Sequence, residues 1–407
     1  MTVGLVIFDD RVAQAWEPFA LTRPAGELVF GAMTLGRRAE RVFGVECLGH
    51  LAAEHLVDFH EPGGRPVLQP DDLPQDRDLI FWSARVAPDL GQRLPTPDGA
   101  ATYLVDGEPA GFYAPAGALP DPAALDEPGA AAVTGASIPV EGRRLAEIWE
   151  LMLHTPEQLG RDLAESGVAP AKKLPDGVYR QGDAPLRLAA DVRIEPGTLF
   201  DTRDGPILIE EGTEIRAGTR LDGPARIGPR SRLLGGSFAR LAAGPFSYLR
   251  GEVSETVVLG YSNKAHDGYL GHAYIGRWVN LGAFTTNSDL KNNYRPVRVW
   301  TPGGVQDTGQ LKIGCFLGDH VKTGIGLLLG TGTVVGAGAN VYGNEMPPVY
   351  VPPFSWGQGG ALGEYRLPEF LEAAETVMAR REVTLDERGR RHLERCWRRG
   401  RDEGRGG

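Results

Sequence analysis

An aliphatic side chain returns every six residues at Ile209, Ile215, Leu221, Ile227 and Leu233, and a second run keeps the same step through Leu317, Thr323, Leu329, Val335 and Val341. A step of six fits neither the 3.6 of a helix nor the 2 of a simple strand. It is the period of a hexapeptide β-helix: each hexad supplies one short strand and one turn, and three hexads close a triangular coil of about 18 residues. The aliphatic residue points into the prism, and stacked coils bury a column that no single coil could bury alone. The intervening positions are polar or small at almost every step, which chance alternation would not produce. Two breaks interrupt the pattern, residues 251–272 and a longer excursion over 284–310. Loops projected from a solenoid often build its binding face, so the chemistry is to be sought there.

The chain before residue 191 follows another pattern. Apolar residues 3–8 run into Asp9 and Asp10, as in a buried parallel strand with polar groups at its C-terminal end. The spacing predicts a helix over 26–43, strands over 45–48 and 79–82, and a hairpin of 101–105 and 110–113 about Asp106-Gly107. Residues 114–130 read as a surface loop, and Leu145, Ile148, Trp149, Met152 and Leu153 recur at helical spacing. Three regions result: an α/β domain over 1–190, the β-helix over 191–345, and an extension over 346–407. In the extension Leu367, Phe370, Leu371, Ala374, Val377 and Met378 mark an amphipathic helix.

Composition narrows the class. The 56 glycines are about 14 % of the chain, twice the usual roughly 7 %, but they have no G-X-Y period, and 42 % hydrophobic residues suffice for buried cores. Collagen and disorder are excluded. The opening residues lack the features of a signal peptide, and no window of about 20 residues is apolar enough to span a bilayer, so a soluble protein without a membrane partner is expected. Cys47, Cys315 and Cys396 are too scattered for a disulfide framework, which fits a cytoplasmic setting. The net charge of −10 argues against nucleic acid as a partner. Residues 379–407 hold ten Arg against six Asp and Glu and read as a solvated helix.

The densest polar cluster is Gly251-Glu-Val-Ser-Glu-Thr-Val-Val-Leu-Gly-Tyr-Ser-Asn-Lys-Ala-His-Asp-Gly-Tyr-Leu-Gly-His272, followed by Tyr274-Ile-Gly-Arg-Trp-Val-Asn-Leu-Gly282. Over residues 191–345 this resembles the acetyltransferase half of the GlmU-type bifunctional enzymes, which join sugar-1-phosphate nucleotidyl transfer to glucosamine-1-phosphate N-acetylation. In that family a histidine precedes a tyrosine by three residues and an Ile-Gly corner by nine or ten, as do His266, Tyr269 and Ile275-Gly276 here. The resemblance implies a left-handed parallel β-helix behind a nucleotidyltransferase-like, Rossmann-type domain. It makes Glu252 the support of His266 and Asn280 the acyl-site asparagine. Lys291, Asn293 and Tyr294 have the residue types that bind the amino-sugar phosphate, although in a different order, and Lys322 is a phosphate contact or a solvated lysine. Acetyl-CoA would lie along Gly324, Gly330 and Gly336, in a cleft that the family forms between subunits of a homotrimer.

The chemistry agrees with this assignment. Acetyl transfer from a thioester to a sugar needs a neutral amine, and a histidine of pKa about 6.5 can take its proton. A carboxylate such as Glu252 would orient the ring, and Tyr269 would hold the sugar phosphate or amine. The N-terminal half departs from the family: no Gly-x-Gly-Thr-Arg loop follows the first strand, and Leu21-Thr-Arg-Pro-Ala-Gly-Glu-Leu28 resembles a divergent branch. Arg23 there could pair with a phosphate, and Asp9 and Asp10 could hold Mg²⁺ for a nucleoside triphosphate, UTP or dTTP. Alternatively Arg23 is fixed by Glu27, and the aspartates merely end a strand. Two other functions stay open. One is a non-catalytic sugar-nucleotide-binding or assembly protein. The other is a γ-carbonic-anhydrase-like zinc enzyme using His266, His272 and His320.

Overall fold

The computed structural model describes residues 3–120, 125–126 and 135–404. It divides into two compact units, Met1–Ile148 with Asp386–Arg399, and Trp149–Leu385 with Gly400–Gly407.

The first unit is built on a six-stranded mixed sheet. Strand Gly4–Phe8 is buried at all five positions and lies parallel to both Cys47–Leu51 and Leu79–Ser83. Beyond Leu79–Ser83 the sheet turns antiparallel, through Glu108–Ala114 and Ala101–Val105. Asp106 and Gly107 join these strands with φ of 53° and 81°, the I′ geometry that an Asp-Gly pair favours. The helix expected over 26–43 is shorter. Ala25–Glu27 form a 3₁₀ turn, Val29–Phe30 pairs with Met33–Thr34, and the helix is Leu35–Phe43. Thr34 starts it by accepting the Arg37 N–H at 3.3 Å, a cap that the apolar spacing concealed. Residues 121–124 and 127–130 of the expected loop 114–130 lie outside the described residues.

The arginine-rich tail is not the solvated helix expected. Glu387–Gly404 is helical, and within the first unit it buries His392, Leu393, Cys396 and Trp397. The His392 Nε2 lies 2.9 Å from the Thr22 carbonyl, and Arg395 pairs with Asp58 at 3.0 Å. The buried stripe at 393, 396 and 397 has helical spacing, but the seven arginines of this helix hide it.

In the second unit the helical spacing after Leu145 resolves into Glu150–Leu153 and Thr155–Ala164. The solenoid follows, its first rung being Tyr179–Gln181 on Leu199–Asp201. Its parallel ladders stack three inward columns, as the hexads require. Phe200, Leu221, Phe238, Val253 and Leu270 fill one face; Ile209, Ile227, Ala243, Val258, Ile275, Leu317 and Val335 the second; Ile215, Leu233, Leu249, Leu281 and Val341 the third. The fold is thus a β-solenoid of the left-handed hexapeptide type behind an α/β domain. Helix Leu367–Ala379 buries Phe370, Ala374 and Met378, as its spacing predicts.

Register shows how far each coil departs from 18 residues. Ile215 pairs with Leu233 eighteen residues on, Leu233 with Leu249 sixteen on, and Leu249 with Lys264 fifteen on. Ile275 then pairs with Leu317, forty-two residues on, and Leu317 with Val335, eighteen on. One coil therefore extrudes 24 residues more than an 18-residue turn needs. The extrusion starts later than the expected 284, because Thr286–Asn287 still pairs with Leu328–Leu329. Its base is closed by a bridge between Leu290 and Lys312, and its stem is the hairpin Arg298–Thr301 with Gly304–Asp307. Trp300 stacks on Tyr350 at 3.5 Å.

Candidate functional site

His266 owes its position to a register shift. Leu249 pairs with Lys264 and Glu252 with Tyr269, so one strand advances three residues while its neighbour advances five. The two surplus residues form a bulge that carries His266 out of the stack, where it is exposed. Bulges of this kind re-aim side chains at functional sites. Lys264 holds the bulge from inside. It occupies the column position filled by Leu249 above and Leu281 below, is only 3 % exposed, and donates its Nζ to the His266 carbonyl at 2.8 Å. Burial pulls its pKa down to about 8. Sequence periodicity passed over Lys264 because a lysine stands where the hexad calls for an aliphatic residue; its stem fills that place and its head is spent on the Arg250 and His266 carbonyls.

Glu252 stands beside Tyr269 in the ladder, not beside His266. Both Glu252 and His266 are exposed, and among the described residues no hydrogen bond or ion pair joins them. Tyr269 instead belongs to a network that the sequence did not reveal. Its hydroxyl donates to Asp289 at 2.7 Å, the same carboxylate oxygen meets His272 Nδ1 at 2.7 Å, and His272 Nε2 meets Glu255 at 3.0 Å. Arg240 closes the chain on Glu255 at 2.9 Å. Arg240, Glu255 and His272 occupy one corner of successive coils, all with φ near +50°, so charges of alternating sign stack there. Burial draws the His272 pKa down, but hydrogen bonds to Asp289 and Glu255 outweigh it and leave the imidazole raised. Hydrogen bonding to His272 holds Glu255 well below the usual carboxylate range. Burial, with help from Asp289, keeps Tyr269 protonated far above its ordinary pKa.

The remaining solenoid candidates divide. Asn280 bridges Asn263 and Lys322 in the ladder and accepts the Asn263 amide at 2.8 Å. Lys291 donates to the Pro296 carbonyl at 2.8 Å and Asn293 accepts the Arg295 N–H, so both shape the extruded loop; Tyr294 is 70 % exposed. A Cβ at Gly324 would meet Tyr342 at 2.7 Å, and one at Gly336 would meet Pro353 at 2.3 Å. Coil stacking alone requires those two glycines, whereas Gly330 has room. The three solenoid histidines have separate surroundings. Both ring nitrogens of His272 face carboxylates, His320 lies between the rings of Trp278 and Phe370, and His266 is exposed. Among the described residues no group of three or more His, Cys, Asp or Glu side chains could hold a metal ion.

In the first unit the two aspartates have different tasks. Asp10 caps the turn Arg11–Gln14 through the Ala13 N–H and takes a bidentate ion pair from buried Arg85, its closest approach 2.6 Å. It has no oxygen to spare for Mg²⁺. Asp9 receives the Ala25 N–H on Oδ2 at 2.9 Å, while its buried Oδ1 has no partner among the described residues. Burial raises Asp9 to about pKa 7. It lines a cavity of about 280 Å³ at the carboxyl ends of Gly4–Phe8 and Cys47–Leu51, with Gln14, Glu54, Gln69 and Asp126. Open α/β sheets bind ligands outside such strand ends. Arg23 is 1 % exposed, and Glu27 binds His50 at 2.9 Å.

Residues 5–167 match the family model described as sugar nucleotidyl transferase. A bifunctional sugar-1-phosphate nucleotidylyltransferase/acetyltransferase of Sulfurisphaera tokodaii is 34 % identical over 152 residues, covering 34 % of this chain and 35 % of the relative. A bifunctional protein GlmU of Syntrophomonas wolfei subsp. wolfei is 29 % identical over 214 residues, 47 % of this chain and 43 % of its own. That of Bordetella parapertussis is 27 % identical over 281 residues, 63 % and 54 % respectively. The matched stretches thus span a third to about half of these relatives' lengths. No described helix is long and apolar enough to cross a membrane.

Proposed function

We propose that the chain is a transferase of the GlmU type whose solenoid moves an acetyl group from acetyl-CoA to the amine of an amino-sugar 1-phosphate. The observation that carries this reading is the two-residue bulge presenting an exposed His266 three residues before Tyr269. In the reaction the imidazole takes a proton from the amine as its nitrogen bonds to the thioester carbon; the C–S bond breaks and the thiolate leaves to be protonated. Tyr269, held protonated and oriented by Asp289, to which it gives its one proton, offers its oxygen as an acceptor for an N–H or O–H of the acceptor sugar. Phe284, Ile325 and Leu328 expose apolar surface on the coils beside the bulge. A neighbouring copy in a homotrimer, or the pantetheine arm, would cover such an edge.

For the first unit the reading is a nucleotidyltransferase-type domain supplying sugar nucleotides in the cytoplasm. Asp9 is the member of the expected pair with an oxygen available for the Mg²⁺ of UTP or dTTP, a metal that would neutralise phosphate charge there. The test is free-thiol release from acetyl-CoA with glucosamine 1-phosphate and other amino-sugar phosphates, run beside pyrophosphate release from UTP or dTTP. Absence of thiol release with every acceptor would refute acetyl transfer; absence of pyrophosphate with every sugar phosphate would refute nucleotidyl transfer.

Lys264 offers a finer check. Lys264→Met keeps an apolar stem in the column but removes the donor that holds the His266 carbonyl. Thermal unfolding is expected to shift by only a few degrees. Acetyl transfer is expected to fall by about 10²-fold, the scale of loss when a catalytic group is misplaced by an ångström. Full activity in this variant would show that the bulge holds its shape without the lysine.

A further inference from the structure

A second cavity, about 240 Å³, opens within the second unit between the solenoid and the C-terminal end of helix Leu367–Ala379. Its lining contains three cations, Lys322, Arg380 and Arg381, and no carboxylate, in a chain of net charge −10. Glu382, next in sequence to Arg381, is already engaged with Arg230 at 2.6 Å.

Donors in this cavity outnumber acceptors. Lys322 makes one long bond, 3.3 Å, to the His320 carbonyl, and an ammonium has three protons to give. Asn263 donates to the Asn280 side-chain Oδ1, and among the described residues the Asn280 amide N–H groups have no acceptor. The Arg381 Nε is buried and has no partner among the described residues, and its guanidinium lies 4.0 Å over the ring of Tyr248. Tyr248 and Tyr261 give the cavity two aromatic walls. Converging N–H donors, excess positive charge and flat apolar walls suit a multi-oxygen anion attached to a small ring. The volume lies below the roughly 300–1,000 Å³ of pockets for drug-sized ligands, which matches a phosphorylated monosaccharide better than a dinucleotide.

We infer that this cavity is a binding site for a small phosphomonoester, its phosphate held by Lys322, Arg380 and Arg381 and its ring placed against Tyr248 and Tyr261. Binding here needs neither His266 nor turnover, so it can hold or fail separately from acetyl transfer. Burial pulls Lys322 down to about pKa 8, so the free site loses a charge as pH rises through that value, while the second ionisation of a phosphomonoester, near 6, is already complete. Arg380 and Arg381 are the other charged groups lining the cavity, and Tyr248 and Tyr261 its phenols.

The experiment is calorimetric titration of the full chain with glucose 1-phosphate, which has no amine to acetylate, and with inorganic phosphate. Glucose 1-phosphate is expected to bind, at least tenfold more weakly to Arg380→Gln/Arg381→Gln and to Lys322→Met, and within twofold of normal to His266→Ala. Affinity should fall from pH 7 to 9.5 in the unaltered chain and stay flat in Lys322→Met. Retained circular dichroism and thermal unfolding would exclude misfolding as the cause. No binding, or binding undiminished in both cation variants, would overturn the inference. If glucose 1-phosphate competes with the amino-sugar acceptor, the site holds the acceptor's own phosphate; if it binds without competing, the site serves a separate phosphorylated ligand.

Discussion

His266→Ala is expected to lower acetyl transfer by about 10² to 10⁴-fold, the usual contribution of a positioned general base. The loss should fall on kcat, because the imidazole acts on the proton released as the C–N bond forms rather than on bound substrate alone. Stability should change little, since the side chain is exposed and fills no part of the column. Thiol release, followed with 5-thio-2-nitrobenzoate formation, gives the rate; differential scanning calorimetry gives the stability. Glu252→Gln provides the contrast. Glu252 stands in register with Tyr269 and makes no bond to His266, so its replacement should cost much less than that of His266. Equal losses in the two variants would restore a His266–Glu252 pair; an unchanged rate in His266→Ala would end the assignment of the base.

The second large effect is expected in the first unit. Arg85→Met should destabilise it by about 3–5 kcal/mol, the scale for breaking a buried ion pair by removing one partner. Arg85 and Asp10 expose 6 % and 3 % of their side chains, and Arg85 also donates to the Leu145 carbonyl at 3.1 Å. Without the guanidinium, Asp10 would be a buried carboxylate answered only by the Ala13 N–H. Asp10→Asn combined with Arg85→Met should recover much of the loss, because asparagine still caps the turn and no charge is left stranded. Hydrogen exchange at Gly4–Phe8 and Leu79–Ser83 would read this locally. Exchange as slow in Arg85→Met as in the unaltered chain would mean that the pair contributes nothing net.

These residues mark how far the sequence could be read. The hexads predicted the three columns because each inward position has one chemical requirement. They could not predict that the coils shorten to sixteen and fifteen residues before residue 264, because no aliphatic marker stands at Lys264 to carry the count. That missing marker is also why His266 was paired with Glu252 fourteen residues back, when the ladder places Glu252 against Tyr269. The Asp289, His272 and Glu255 network joins three coils through a corner whose spacing varies, so no linear motif announces it. In the first unit, Asp9 and Asp10 looked equivalent side by side. Their fates diverge because Arg85, seventy-five residues away, lies on the neighbouring connection and claims only one of them.

The extruded hairpin has a different kind of consequence. The coils keep register across it, Ile275 lying on Leu317 as evenly as Leu317 lies on Val335, and its base is shut by Leu290 and Lys312. Between those two residues the stem is seated on the column: Trp300 stacks on Tyr350, Val297 and Val299 are buried, and the Arg298 carbonyl and Val297 side chain close over Gly332. The exposed tip over residues 302–305 can therefore behave as an exchangeable cassette: its length and sequence are free to drift, or to be grafted from a relative, while the stem and the scaffold beneath stay fixed. A library confined to residues 302–305 would vary this surface without touching the buried stem or His266.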